Sequence, residues 1–209
     1  MKKRSIAFCL GVLLSLLVTP LFVHGVGIAA AAEEKSFRFT VTGDPRNELS
    51  KWEHTLRQMN DKLGDEGAFH VTCGDFFRHG AKTVTKDFYD RLKKEFGDDV
   101  LWYPTVGNHE TQDDSTDLPW FREYYHKKLK GKVNPGPVNG VETTYSFDYK
   151  NAHFVQLNQY YDGKIDKHKD GDFRDALYEW LVKDLERNTK PVVFVFTFAK
   201  LANIPWKNS

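Results

Sequence analysis

The hydrophobic positions divide the chain into short runs typical of β-strands, separated by segments with the spacing of an α-helix. Leu56, Met59 and Leu63, for example, recur at intervals of three and four residues and so share one helical face. The alternation of strand and helix in the first half of the chain favours parallel βαβ units with right-handed crossovers. The pattern predicts strands at residues 37–42, 68–72 and 100–106 and helices at residues 48–63 and 84–96.

In the second half of the chain, two β-like runs joined by Lys150 and Asn151 predict an antiparallel hairpin. Val193, Phe194 and Val195 form the centre of a further run of the buried type. Together these elements predict a mixed α/β sheet flanked by helices. The predicted elements of this half are strands at residues 143–149, 152–157 and 191–198, a helix at residues 175–186 and a loop at residues 130–140.

The first 32 residues form a segment of a different kind. Cationic residues at 2–4 precede an almost entirely apolar run at 6–23, and alanines follow at 29–32. This order is typical of a secretory signal peptide, so we expect residues 1–32 to be cleaved and the protein to be periplasmic, secreted or attached to the cell surface. An uncleaved membrane anchor is the alternative, because the apolar run has nearly the length that spans a bilayer.

Composition narrows the class of protein further. The 209 residues are 40% hydrophobic and 28% charged, which is typical of a globular protein and excludes a disordered or collagen-like chain. The formal net charge of +1 becomes −2 when residues 1–32 are removed, so no basic surface indicates a nucleic-acid partner. Only Cys73 remains after that cleavage, which excludes a disulfide within the chain.

Polar residues follow the glycine at the end of each of the first three predicted strands. Asp44, Asp75 and Asn108 stand directly after these glycines, 31 and 33 residues apart, which is about the length of one βαβ unit. Parallel strands bring their carboxyl ends to one edge of a sheet, so we expect the three side chains to converge. Carboxylate and amide oxygens are hard ligands for divalent cations, and His109 beside them is a candidate proton donor. One Gly-Asp pair alone would indicate only a turn or a helix cap.

These residues resemble the motifs of the calcineurin-like metallophosphoesterase superfamily. The similarity extends over residues 37–198, which we expect to form one phosphoesterase domain. It includes the predicted hairpin and the helix that contains Trp180. The motifs that carry it are Gly43-Asp44, Gly74-Asp75 with the residues up to Gly80, and Gly107-Asn108-His109-Glu110.

The resemblance implies a fold, a cofactor and a reaction. The fold is a four-layer α/β/β/α sandwich, and the cofactor is a pair of divalent metal ions (Mn, Fe, Zn or Mg) that activates water to hydrolyse phosphomonoesters or phosphodiesters. Asp44 would bind one metal ion, Asp75 would bridge both and Asn108 would bind the second. His109 would assist protonation of the leaving group or stabilise the transferring phosphoryl group. The expected partner is a small-molecule phosphoester.

The chain also departs from the family pattern. Arg46 stands where the first motif has a metal-binding histidine, and a guanidinium has no lone pair for a metal. Arg46 is instead a candidate contact for substrate phosphate, and so is His79, for which a solvated loop is the alternative. Phe198 stands in the place of another expected histidine, and the last histidine motif does not follow. We therefore expect a truncated or degenerate domain, incomplete at its C-terminus, that binds its metals weakly.

Two principal functions fit this sequence. The first is an exported metal-dependent phosphoesterase. The second is a catalytically impaired relic, or a non-catalytic binding protein on the same scaffold, which the missing histidines favour. A carbohydrate-binding module is a third hypothesis that rests only on the 14% of aromatic residues.

Overall fold

Two β-sheets and five α-helices make up the part of the chain that the structure describes. The structure is a computed structural model, and it describes residues 36–46, 48–76, 82–112, 118–167, 171 and 173–198. The predicted signal peptide and His79 lie outside these residues. In chain order the elements are β1 (Arg38–Gly43), α1 (Leu49–Leu63), β2 (Gly67–Cys73), α2 (Lys82–Phe96), β3 (Trp102–Thr105), α3 (Asn108–Gln112), α4 (Leu118–Tyr124), β4 (Asn134–Pro135), β5 (Tyr145–Tyr149), β6 (Ala152–Gln156), α5 (Asp175–Arg187) and β7 (Val192–Phe196).

The first sheet has the strand order β1-β2-β3, and both of its strand pairs are parallel. Gly43 at the end of β1 is in register with Cys73, and Cys73 is in register with Thr105 at the end of β3. The three strands therefore end at the same edge of the sheet, as the spacing of the sequence motifs predicts. The loops that leave this edge carry the candidate site.

The second sheet has the order β4-β5-β6-β7 and contains the predicted hairpin. Strands β5 and β6 pair antiparallel from Tyr149 and Ala152 at the turn, where Lys150 adopts the left-handed region with φ 50°. Strand β7 then pairs parallel to β6. Strand β4, inside the predicted loop, consists of only two residues, which pair with the start of β5.

Aromatic side chains from the two sheets contact one another. The rings of Tyr103 on β3 and Phe147 on β5 stack with their centroids 3.8 Å apart. Phe69 on β2 meets Phe154 on β6 edge to face at 5.0 Å. Such pairs add to the stabilisation that comes from removing large apolar surface from water. This aromatic layer holds the first sheet, and so the loops at its edge, against the second sheet.

Helices α1 and α2 pack together and against the first sheet. The rings of Trp52 on α1 and Phe88 on α2 lie 4.3 Å apart, and both side chains are buried. Helix α5 packs near the second sheet, where Leu177 and Leu181 join a hydrophobic cluster with Val155. The structure thus has the mixed α/β class that the sequence predicts, whereas the finer expectation of a four-layer sandwich stays a prediction.

Helices α3 and α4 and the π-helical turn Tyr125–Leu129 were not predicted by the hydrophobic pattern. Each is too short to show several helical periods, so periodicity does not identify it. Trp120 and Tyr124 nevertheless bury their rings against Trp102, with centroids 5.4 Å from it in both cases. None of the helices in the described residues is both long and apolar enough to cross a membrane.

A buried histidine lies between the first sheet and its helices. Nδ1 of His70 is 2.6 Å from Oγ1 of Thr40, Nε2 is 3.0 Å from Oγ1 of Thr42, and the side chain is fully buried. Burial lowers the pKa of His70 from 6.5 to about 3, because the charged imidazolium would lose its hydration. His70 is thus a packed core residue.

His70 makes the stability of the fold depend on pH. Between pH 6.5 and pH 3 the unfolded chain binds the proton that the folded chain excludes, so the contribution of His70 to the free energy of unfolding falls as the pH is lowered. We expect the wild type to lose about 2 kcal/mol relative to His70→Gln from pH 7.5 to pH 5, measured by urea unfolding. His54→Gln, at an exposed position of α1, is the control and should keep the wild-type slope. Equal slopes in all three proteins would contradict this account.

Candidate active site

The loops after β2 and β3 approach each other so closely that two glycines are required. A Cβ atom on Gly74 would lie 2.6 Å from both the backbone nitrogen and the Cα of Gly107. Gly74 also has φ 69°, a region that residues with a side chain rarely adopt. A Cβ on Gly107 would collide with Oδ1 of Asp75. The small size of these residues therefore lets the polar side chains behind them come together.

The carboxylate of Glu110 joins the two loops. It accepts hydrogen bonds from the backbone N–H groups of Asp75 (2.8 Å), Phe76 (2.8 Å) and Gly107 (2.6 Å). The side chain is 1% exposed. Burial raises the pKa of Glu110 to about 8, although the three backbone donors act in the opposite direction. Glu110 thereby fixes where Asp75 stands relative to the start of α3.

Asp75 is the buried carboxylate of the site. Its Oδ1 accepts a hydrogen bond of 3.0 Å from the backbone N–H of His109, and its side chain is fully buried. Its Oδ2 is buried and accepts no hydrogen bond from the described residues. Burial raises the pKa of Asp75, whereas the N–H of His109 acts to lower it. A nearby cation would stabilise the ionised form of this buried oxygen, because it would offset the lost hydration.

Two basic side chains face this oxygen. Nη2 of Arg46 lies 3.4 Å from Oδ2 of Asp75, and Nε2 of His109 lies 3.7 Å from it. Both distances exceed that of a usual N–H···O hydrogen bond, so these contacts are mainly electrostatic. Nε of Arg46 also donates to Oδ1 of Asp44. The hydrogen bond to Asp44 raises the pKa of Arg46 above its already high value.

The turn after β1 directs Arg46 toward the two carboxylates. Asp44 and Arg46 both have positive φ, at 52° and 41°, which is uncommon for residues with a side chain. The N–H of Asp44 donates to the carbonyl of Gly74 at 3.2 Å, and the N–H of Arg46 donates to the carbonyl of Asp75 at 3.0 Å. These backbone hydrogen bonds tie the first loop to the second and stabilise the strained turn.

The structure brings together four of the predicted site residues: Asp44, Arg46, Asp75 and His109. Asn108 begins α3, directly before the residue whose N–H binds Asp75, and is half-buried. His79 lies outside the described residues.

Two further residues of the site were not assigned a role by sequence reasoning. Glu110 stands three residues after Gly107 and accepts its N–H, which is the contact that the Glu of a capping box makes and could have been found from this spacing. Tyr160 lies near Asp75: burial raises the pKa of the Tyr160 hydroxyl, and the negative charge of Asp75 acts in the same direction. The side chain of Tyr160 is buried, 4% exposed.

These residues do not form a complete set of metal ligands. In the described ranges, no group of three or more His, Cys, Asp or Glu side chains is arranged to hold a metal ion. The ring of Phe198 lies against the second loop, 3.0 Å from where a Cβ on Gly74 would be. The orphaned Oδ2 of Asp75 nevertheless fits a hard divalent cation, with Asn108 as the predicted second oxygen donor. On the side of Asp44, a guanidinium is already present.

A comparison with protein families gives a match for this chain. A family model described as calcineurin-like phosphoesterase matches residues 37–208, which is more than half of the chain. The comparison with curated proteins finds no match.

The close approach of the loops predicts how two glycines respond to an added methyl group. We expect Gly107→Ala to lower the free energy of unfolding by about 2 kcal/mol or more, because its Cβ overlaps Asp75 and Glu110. Gly43→Ala is the matched control at the end of β1, where the nearest atom would be 3.5 Å away, and should stay within about 1 kcal/mol of the wild type. Urea unfolding measures both, and equal stabilities of the two variants would contradict the predicted overlap.

Proposed function

The chain belongs to the calcineurin-like phosphoesterase family, and on this basis we propose that it is an exported, metal-dependent hydrolase of small phosphomonoesters or phosphodiesters. Membership of this family implies hydrolysis of phosphoester bonds in general. The observation that carries the proposal for this chain is the buried Oδ2 of Asp75, which accepts no hydrogen bond from the described residues. The family's four-layer α/β/β/α arrangement is part of the same proposal.

Three residues would hold the divalent cations in this proposal. They are Asp44, Asp75 and Asn108, with Asp75 as the shared ligand. When bound, the cations supply positive charge that increases the acidity of water and offsets the charge of the phosphoryl group. Asp75 is suited to this role because its position is fixed by backbone hydrogen bonds on both sides. Its own N–H is held by Glu110, and its Oδ1 is held by His109.

Arg46 would bind the phosphate of the substrate. A guanidinium has five N–H donors in a planar fork, and the contacts with Asp44 and Asp75 use only some of them. The side chain is 43% exposed, so the remaining donors are accessible to a phosphoryl oxygen that enters from solvent. Such charge-assisted hydrogen bonds to phosphate are stronger than neutral ones and orient the group.

His109 would donate a proton to the oxygen of the leaving group. Its side chain is 12% exposed, and its Nε2 is 3.7 Å from Oδ2 of Asp75, so the imidazole lies beside the proposed position of the phosphoryl group. Because the backbone N–H of His109 also donates to Asp75, the imidazole of His109 and the carboxylate of Asp75 keep fixed positions relative to each other.

The export of the protein is proposed from the sequence of residues 1–32 alone. His79 stays a proposed substrate contact, since it follows the bridging aspartate in the second motif. Neither of these two proposals is needed for the chemistry at Asp75.

A second candidate function is a phosphate-binding or other non-catalytic role on the same scaffold. Two observations favour it: Phe198, an apolar side chain, lies against the loop of Asp75, and Arg46 holds the carboxylates that would otherwise bind a cation. Both candidates predict an anion contact at Arg46. They differ in whether the chain turns over a phosphoester.

Asp75→Asn is the variant that tests hydrolysis. We expect the full chain with Mn²⁺ to hydrolyse p-nitrophenyl phosphate or bis(p-nitrophenyl) phosphate. Asp75→Asn should lower kcat/KM by about a hundredfold or more, because the amide keeps an acceptor for the N–H of His109 but removes the charge that binds a cation. Release of p-nitrophenolate measures the rate.

Asp61→Asn is the matched control, at an exposed position of α1, and should retain the wild-type rate. If the wild-type chain with Mn²⁺, Mg²⁺, Zn²⁺ or Fe²⁺ releases no more product than a protein-free blank, the hydrolase is excluded. The non-catalytic candidate would then be the better account.

A further inference from the structure

Arg46 lies at the position where the first of two cations would be expected. Its guanidinium donates through Nε to Oδ1 of Asp44 and approaches Oδ2 of Asp75 with Nη2 at 3.4 Å. We propose that this guanidinium takes the place of one divalent cation, so that the chain binds at most one, at Asp75 and Asn108. The inference rests on the proposed function and narrows it, since one cation at Asp75 and Asn108 replaces the pair of cations and Asp44 binds the guanidinium instead of a metal ion.

The position of Arg46 is set by the backbone and not by a chance surface contact. Its N–H donates to the carbonyl of Asp75, and its φ of 41° turns the side chain back over Asp44. Pro45 between them is buried, and its carbonyl accepts the N–H of Glu48 directly before α1. The residue therefore sits in a turn that is bonded at both ends. A strained turn of this kind persists only where the surrounding structure holds it.

The charges of Asp44, Asp75 and Arg46, which together form one cluster, support the replacement of one cation by the guanidinium. Asp44 and Asp75 carry two negative charges when ionised, and the Arg46 guanidinium offsets one of them permanently. One divalent cation at Asp75 would then leave the cluster with a net charge of +1, and a second would raise it to +3. Mutual repulsion between the guanidinium and a cation at Asp44 is therefore expected to exclude the second cation. In the family pattern an uncharged imidazole, which is itself a ligand, stands in place of Arg46.

The burial of Asp75 explains why its contact with Arg46 affects stability. An ion pair between two exposed side chains contributes little to stability, because water screens it. Here one partner is fully buried, and its Oδ2 has no hydrogen-bond donor in the described part of the chain. Positive charge near this oxygen stabilises its ionised form even in the absence of metal, and Arg46 supplies that charge. The guanidinium acts as an internal counter-ion.

Isothermal titration of the full chain with Mn²⁺ tests this inference without any assay of activity. We expect the wild type to bind no more than one Mn²⁺. Arg46→His, which supplies an imidazole ligand and removes the fixed charge, should bind one Mn²⁺ more than the wild type. Arg46→Met, which removes the charge and adds no strong ligand, should bind its Mn²⁺ about tenfold more tightly, or more.

Two further variants serve as controls. Arg46→Lys keeps a positive charge and should keep the wild-type stoichiometry, and Arg46→His still decides the question if Arg46→Met fails to fold. Arg57→Met, at an exposed position of α1, should leave Mn²⁺ binding unchanged. The inference is overturned if the wild type binds two Mn²⁺, or if Arg46→His and Arg46→Met bind Mn²⁺ as the wild type does.

The outcome of the Mn²⁺ titration does not depend on the outcome of the hydrolysis assay. A wild type that binds two Mn²⁺ and hydrolyses phosphoesters would refute the role of Arg46 and leave the proposed function intact. If Arg46→His binds one Mn²⁺ more than the wild type, and the wild type hydrolyses nothing, the role of Arg46 is supported and the proposed function is refuted.

Discussion

The three hydrogen bonds to the carboxylate of Glu110 are the constraint on which the site depends. They join the loop after β2 to the start of α3, because their donors are the N–H groups of Asp75, Phe76 and Gly107. A parallel sheet brings the ends of its strands to one edge, but it does not fix the loops that follow them. Glu110 provides that fixation with one buried side chain. Its removal would leave three backbone donors without an acceptor inside the protein.

The remaining geometry follows from this anchor. With the second loop fixed, Asp75 turns its Oδ1 to the N–H of His109 and leaves Oδ2 facing Arg46 and His109. The first loop is tied to the second by its own backbone hydrogen bonds, so Arg46 reaches both carboxylates. A buried negative charge thus lies between basic groups at an edge that solvent can reach. This arrangement can accept a cation or present a guanidinium to a phosphate, which are the two properties that the proposed function needs.

The sequence predicts the parallel strands and the residues that follow them, because both depend on local patterns. The hairpin, α1, α2 and α5 are also found with boundaries within two residues of those expected. The position of Arg46 could not be predicted, since it depends on two positive φ angles and on hydrogen bonds to a loop about thirty residues away in the chain. The short helix α4 was missed for lack of helical periods. The role of Glu110 could have been recognised from its spacing to Gly107.

We expect a bound cation to lie at Asp75 and Asn108, with Asp44 and His109 close to it. The most direct test is the broadening of backbone amide signals in the NMR spectrum of the ¹⁵N-labelled chain on addition of Mn²⁺, since the paramagnetic ion affects the nearest nuclei most. We expect the amides of these four residues to broaden first, while those of exposed carboxylates on α1 and α5 stay sharp. Broadening that begins at other acidic residues and leaves these four unaffected would contradict the account.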